Sequence, residues 1–147
     1  MGRIKRASIL VCVTGQRDCD RLILAGKRIA DEKGGSLQVL CVQPTSSGYD
    51  VRSDEIEYLR VTSVKANAEM TVYFHDDPAL IAAGFVRQIN AKHIVTGMPD
   101  DRADGFVEII HSLVPSVPIS MVSPEGTIYN LYPSYPNVKP VKISAQG

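Results

Sequence analysis

Three sets of residues in this chain invite a chemical reading: thiols, neighbouring carboxylates, and glycines at the ends of apolar runs. Cys12 and Arg17 approach the pattern of a phosphatase loop, in which an arginine cradles a thiolate. Such loops hold one more residue between the two than the four found here. Cys12 also falls inside an apolar run, where a thiol behaves as a small hydrophobe. Asp76-Asp77 offers two carboxylates to a metal or a proton, but Pro78 directly after them makes Asp77 a helix N-cap with proline at the first helical position. Cys12, Cys19 and Cys41 form no CxxC pair, and His75, His93 and His111 are far apart in sequence, so no metal set is indicated. There is no GxGxxG, no GxxxxGK[ST] and no GxSxG elbow. Thr14-Gly15 stands where a phosphate-accepting receiver domain needs magnesium-binding acids. The richest segment is Gly97-Met-Pro-Asp-Asp-Arg-Ala-Asp-Gly105. A glycine at a strand end lets backbone approach a ligand, and a following helix offers free N–H groups to an anion. Asp100, Asp101 and Asp104 oppose phosphate there, and only Arg102 offsets them.

The elements that must position these residues alternate in period. Residues 7–13 form a nearly continuous apolar run, as in a strand buried on both faces. Beyond a turn at residues 15–18, Leu22, Ala25, Gly26, Ile29 and Ala30 make one helical stripe that Gly34-Gly35 stops. Residues 37–42 read as a second strand and 43–52 as a loop. Ser53 caps a helix reaching about residue 68, with Ile56, Leu59, Ser63 and Ala66 inward. A third strand at 70–74, a helix from Pro78 to near Asn90 and a fourth strand at 93–96 follow. Phe106, Ile109, Ile110, Leu113 and Val114 give the next helix its apolar stripe, and 117–122 is a fifth strand. Strands alternating with helices mean βαβ units, hence an α/β, doubly wound parallel sheet. Ligands of such sheets bind beyond the carboxyl ends of the strands where the strand order reverses. That places the candidate site at residues 13–16, 42–44, 75–77 and 97–105. Residues 1–123 are read as one domain and 124–147 as an extension rich in proline and tyrosine, with 127–132 able to form a sixth, edge strand.

The 147 residues suffice for one domain with a real core. Sixteen basic residues balance 16 acidic ones, which argues against a nucleic-acid binder working by counterion release. No apolar run approaches the roughly 20 residues of a membrane span, so no membrane insertion is expected. Basic residues precede the first apolar run, but that run is short and no small-residue cleavage site follows, so no signal peptide is read. Three unpaired cysteines suit a reduced, cytoplasmic protein.

The run Ile9-Leu-Val-Cys-Val-Thr-Gly15, a helix and Leu37-Gln-Val-Leu-Cys-Val42 resemble the universal stress protein family, as do Ile94-Val-Thr-Gly97, a helix and Val117-Pro-Ile-Ser-Met-Val122. The likeness spans residues 6–123. It is greatest to the stress-protein-like domain of potassium-sensing histidine kinases, which shares Val-Cys-Val in its first strand. The resemblance implies a five-stranded parallel sheet of order 3-2-1-4-5 and a cytoplasmic homodimer, often paired through an additional C-terminal strand. It also supplies an ATP motif to compare. The aspartate that ends the family's first strand is Thr14 here. In the G-x2-G-x9-G-[ST] motif Gly97 matches the first glycine, while Asp100, Ile110 and His111 depart from it. With a shortened loop, Gly105-Phe106 stands at the final Gly-Ser. The expectation is therefore a regulatory or adaptor module, without catalysis and without the usual ATP site, with a possible protein partner. The alternative is a nucleotide sensor for ATP, AMP or a cyclic dinucleotide, using backbone amides at Gly15, Gly97 and Gly105. A bound ligand, an adenine nucleotide if any, would meet Thr14, Gly15, Gln16, Gln43, Gly97, Met98, Arg102 and Gly105. Met98 and Phe106 are the side chains able to fill that pocket instead.

Overall fold

The computed structural model describes residues 7–49, 53–99 and 105–133. In chain order these form β1 (Ser8–Val13), a 3-10 turn (Arg17–Cys19), α1 (Asp20–Lys33), β2 (Ser36–Gln43), a second 3-10 turn (Thr45–Ser47) and α2 (Asp54–Lys65). Then come β3 (Glu69–Phe74), α3 (Pro78–Ile89), β4 (Ala91–Gly97), α4 (Phe106–Leu113), β5 (Ile119–Val122) and β6 (Ile128–Leu131). The sheet order is β3-β2-β1-β4-β5-β6. The first five strands run parallel in the expected order, and β6 extends the sheet as an antiparallel edge.

Strand periodicity divides the core in two. Ile9, Val11 and Val13 of β1 meet Leu22, Ile23 and Ile29 of α1 and Leu59 of α2. Leu10 and Cys12 face the other way, toward Ala82, Ala83 and Val86 of α3 and Val107 and Ile110 of α4. β1 thus has no solvent face, and its near-continuous apolar sequence follows from that. The helix termini carry the signals read from sequence. Gly34 ends α1 at φ 63°, Ser53 Oγ accepts from the Ile56 amide at 3.2 Å, and Asp77 Oδ1 accepts from the Leu80 amide at 3.2 Å.

Three expectations need correction. α2 ends at Lys65 rather than near residue 68, because Asn67 turns the chain with φ 62°. Phe106, Ile110, Leu113 and Val114 pack in the core as expected, but Ile109 is 43% exposed and Val107 is buried instead, where α4 packs against α3. The fifth strand is also shorter than read, beginning at Ile119.

β6 is joined to the sheet by more than its backbone ladder. Ser120 Oγ donates to Asn130 Oδ1 at 2.6 Å, and His93 Nε2 lies 2.7 Å from the same hydroxyl. With Ser120 donating outward, His93 Nε2–H donates to Ser120 and Nδ1 is left bare; that nitrogen is buried with no hydrogen-bond partner. Burial, with the positive charge of Lys33 second, lowers the His93 pKa from 6.5 to about 4. The unfolded chain then binds a proton that the folded chain refuses, so stability rises with pH across that window. We expect the full contribution above pH 6.5 and its progressive loss as pH falls to about 4. Urea denaturation at a series of pH values should show this slope in the native chain and lose it in His93→Gln. An unchanged slope in the variant would contradict the assignment.

Candidate functional site

β1 and β4 are neighbours, yet β1 hands the chain to α1 on one face and β4 hands it to α4 on the other. The crevice between these departures is the topological switch point of the sheet. A cleft of about 350 Å³ opens there, with Thr14, Gln16, Cys19 and Arg21 on the β1 side and Thr96, Gly97, Met98 and Val107 on the β4 side. A second cavity of about 210 Å³ shares Cys12, Thr14, Thr96 and Phe106 with it. This one is walled by Val13, Leu40, Val42, Pro78 and Ala82. The site therefore has an apolar slot on the α3 side and a polar cleft beside it.

The Thr14-Gly15 turn owes its shape to residues that surround it. Gly15 has φ 125°, where an L side chain is strained, and a Cβ there would collide with the Gln43 amide. Gln43 Nε2 donates to the Thr14 carbonyl at 3.3 Å, and Cys41 Sγ donates to the same oxygen at 3.7 Å. Gly97 differs: a Cβ there would stand 3.7 Å from Arg21 Nη2, ordinary contact, with the cleft beyond it.

Of the residues expected at the site, Thr14, Gln16, Gly97 and Met98 line the cleft. Gly15 and Gln43 shape the turn beneath Thr14 but line neither cavity. Gly105 is the N-cap of α4, with φ 81° and no side-chain cap bond, one residue before Phe106. Arg102 lies outside the described residues.

Arg21 is the cation that the sequence reading missed. Its Nε donates to the Ser123 carbonyl at 3.1 Å, Nη1 to the Asp18 carbonyl at 2.9 Å and Nη2 to the Val122 carbonyl at 3.5 Å. It ties the start of α1 to the end of β5 while lining the cleft. Asp18 pairs with it at 3.6 Å, which tempers the positive charge. Asp18, Cys19 and Thr96 were likewise not expected at the cleft, because neither motif nor spacing marks them.

The groups that looked chemical are otherwise engaged. Burial pushes the Cys12 thiol up to about 12, so it is no thiolate near neutral pH. Asp76 accepts from the Thr45 amide and hydroxyl at 2.9 Å each, and these bonds hold its pKa below the usual carboxylate value. Asp77 caps α3, and its own amide donates to His75 Nδ1 at 2.9 Å. Among the described residues no three His, Cys, Asp or Glu side chains form a metal-binding group, and no helix is long and apolar enough to cross a membrane.

If Gly15 is what lets the turn close under Gln43, Gly15→Ala should cost about 1–3 kcal/mol in denaturant unfolding. Gln43→Ala in the same chain should recover only part of this, since the φ strain remains. A neutral Gly15→Ala would refute this account of the turn.

The sequence matches no family model and no curated protein. Solved structures do match. A universal stress protein from Archaeoglobus fulgidus in complex with dAMP aligns at a TM-score of 0.55 and 16% identity, over 79% of this chain and 97% of that one. A universal stress protein family member from Burkholderia pseudomallei aligns at 0.56 and 19%, over 80% and 96%. A universal stress protein in complex with cAMP aligns at 0.55 and 13%, over 74% and 90%. At these identities the likeness is one of architecture, and the sheet order agrees with it: this chain has the fold of the universal stress proteins.

Proposed function

We propose that this chain is a regulatory module, without catalysis of its own, whose switch-point cleft takes an adenosine monophosphate type of ligand. The observation that carries the reading is the apolar slot joined to a polar cleft through Thr14, Thr96 and Phe106. A purine needs flat apolar walls, which Val13, Leu40, Val42 and Ala82 offer. A sugar and one phosphate need hydroxyls, amides and a single cation. Thr14 and Thr96 supply hydroxyls, the uncapped first turn of α4 at Phe106 and Val107 supplies N–H groups, and Arg21 supplies the charge. The adenine mononucleotides bound by two of the structurally similar proteins support this choice.

A triphosphate suits the cleft less well. Arg21 already serves three carbonyls, and Asp18 faces it. Each further phosphate would add negative charge without a further cation among the described lining residues. The broken glycine motif and Thr14 in place of the family's aspartate agree with this. The sensor thus moves ahead of the ligand-free adaptor as the favoured reading.

The module would act as a cytoplasmic homodimer. Three free thiols support a reducing compartment. For pairing, β6 supplies an edge strand with Tyr129 half exposed and Tyr132 at 71%. The Val11-Cys12-Val13 run that likens the chain to the domain of potassium-sensing histidine kinases supports a signalling role.

Titration calorimetry should show AMP binding one to one, and ATP binding at least about tenfold more weakly, which is 1.4 kcal/mol. Gly97→Leu should abolish binding with little loss of stability, because its side chain would enter the cleft rather than the core. Absence of heat from AMP, dAMP and cAMP alike would overturn the nucleotide reading and return the adaptor to first place.

A further inference from the structure

Arg21 does more than line the cleft, because the two carbonyls it grips beyond β5 also hold other parts of the fold. Its Nε donates to the Ser123 carbonyl at 3.1 Å, and the Gly126 amide donates to the same oxygen at 2.9 Å. That second bond closes the turn between β5 and β6. Two more stitch the turn together: the Ser123 amide donates to the Thr127 carbonyl at 2.8 Å, and the Thr127 amide to Ser123 Oγ at 3.0 Å. The Val122 carbonyl is shared in the same way. It accepts from the Met98 amide at 3.1 Å and from Arg21 Nη2 at 3.5 Å. Met98 lines the cleft from the β4 side, so both walls of the cleft are tied to Val122.

The guanidinium keeps one corner for a ligand. Nε and Nη1 make the shorter bonds, and Asp18 stands 3.6 Å from Nη1. Nη2 makes only the 3.5 Å bond, and it is the nitrogen that faces Gly97: a Cβ there would lie 3.7 Å from it. An anion in the cleft can thus meet Nη2 while the Nε bond to Ser123 stays in place.

We propose that the β5–β6 hairpin is the readout of the cleft: an anion on Arg21 Nη2 fixes the guanidinium and, through the Ser123 carbonyl, tightens its hold on the turn that carries β6. A long side chain that gains a charged partner loses rotamer freedom, and the bonds it already makes are then kept for more of the time. β6 is the antiparallel edge of the sheet, with Tyr129 half exposed, so occupancy sets how firmly that edge is presented. The coupling is reciprocal, and whatever orders β6 by pairing with it strengthens anion binding by the same factor. That the anion is a nucleotide phosphate rests on the reading given under Proposed function; the tie between Arg21 and the hairpin rests on the bonds above.

Gly97→Asp supplies the anion without a ligand. Gly97 has no positive φ, and a carboxylate on its Cβ would reach Nη2. The readout is native-state hydrogen exchange at the Ser123, Gly126 and Thr127 amides, each rate read against those of β1, which report global unfolding. Gly97→Asp should slow the three amides by about three- to tenfold, the worth of one hydrogen bond, while the uncharged Gly97→Asn leaves them near the native rate. Arg21→Gln should speed them by a similar factor, and Gly97→Asp should have no effect in that background. Slowing that persists without Arg21, equal slowing by Gly97→Asn, unchanged or faster exchange in Gly97→Asp, or no change in Arg21→Gln would each overturn the proposal. Saturating AMP should slow the same amides in the native chain. AMP that binds by calorimetry yet leaves them unchanged would overturn the coupling as well. Failure of AMP to bind removes the nucleotide reading, and Gly97→Asp then still decides this one.

Discussion

β1 and β4 lie hydrogen-bonded side by side at the centre of the sheet and must send their chains to opposite faces. The turn after β1 and the end of β4 therefore diverge, and a crevice lined by their backbone and first side chains is left between them. No packing inside either core fills that gap, because each core belongs to one face. The rest of the structure serves this geometry. Two apolar layers clamp β1 from both sides, and the helices arrive at the crevice with their N-termini foremost.

What occupies the crevice margin decides its chemistry. On the α3 side the lining is largely aliphatic with Pro78, and on the α1 side the described residues are polar with one guanidinium. Arg21 is a brace between α1 and the end of β5, and on the proposed reading it is also the positive charge that meets an anion. A brace that already donates to three carbonyls suits one phosphate better than a chain of them. Two carboxylates and one imidazole that looked chemical in the sequence are engaged in the fold. Asp76 and Asp77 fix a loop and a helix cap, and His93 is buried as a neutral link between β4, β5 and β6.

The fold was legible because apolar runs of strand length alternate with stripes of helical period, and their caps fall where the backbone needs them. Ser53, Asp77-Pro78 and Gly34 each mark a terminus that the structure bears out. The burial of Val107 rather than Ile109 in α4 was not legible, because contact with α3, a tertiary fact, decides it. At the cleft, the presence of Thr14 and Gly97 was legible because the switch point of such a sheet leaves a crevice at its strand ends. Arg21 and Cys19 were not, because only the fold of the turn turns them inward. The meeting of Cys41 with the Thr14 carbonyl was equally invisible, since no sequence spacing relates residues brought together by strand pairing.

The central claim is that the crevice between β1 and β4 is the ligand site and that its ligand is an adenine mononucleotide. Backbone amide chemical shifts recorded during titration with AMP test it most directly. The account predicts saturable changes concentrated at Thr14, Gln16, Thr96, Gly97 and Val107, with none at the hollow around Arg87 and Lys92. Changes confined to that hollow, or no saturable change at any residue, would contradict it.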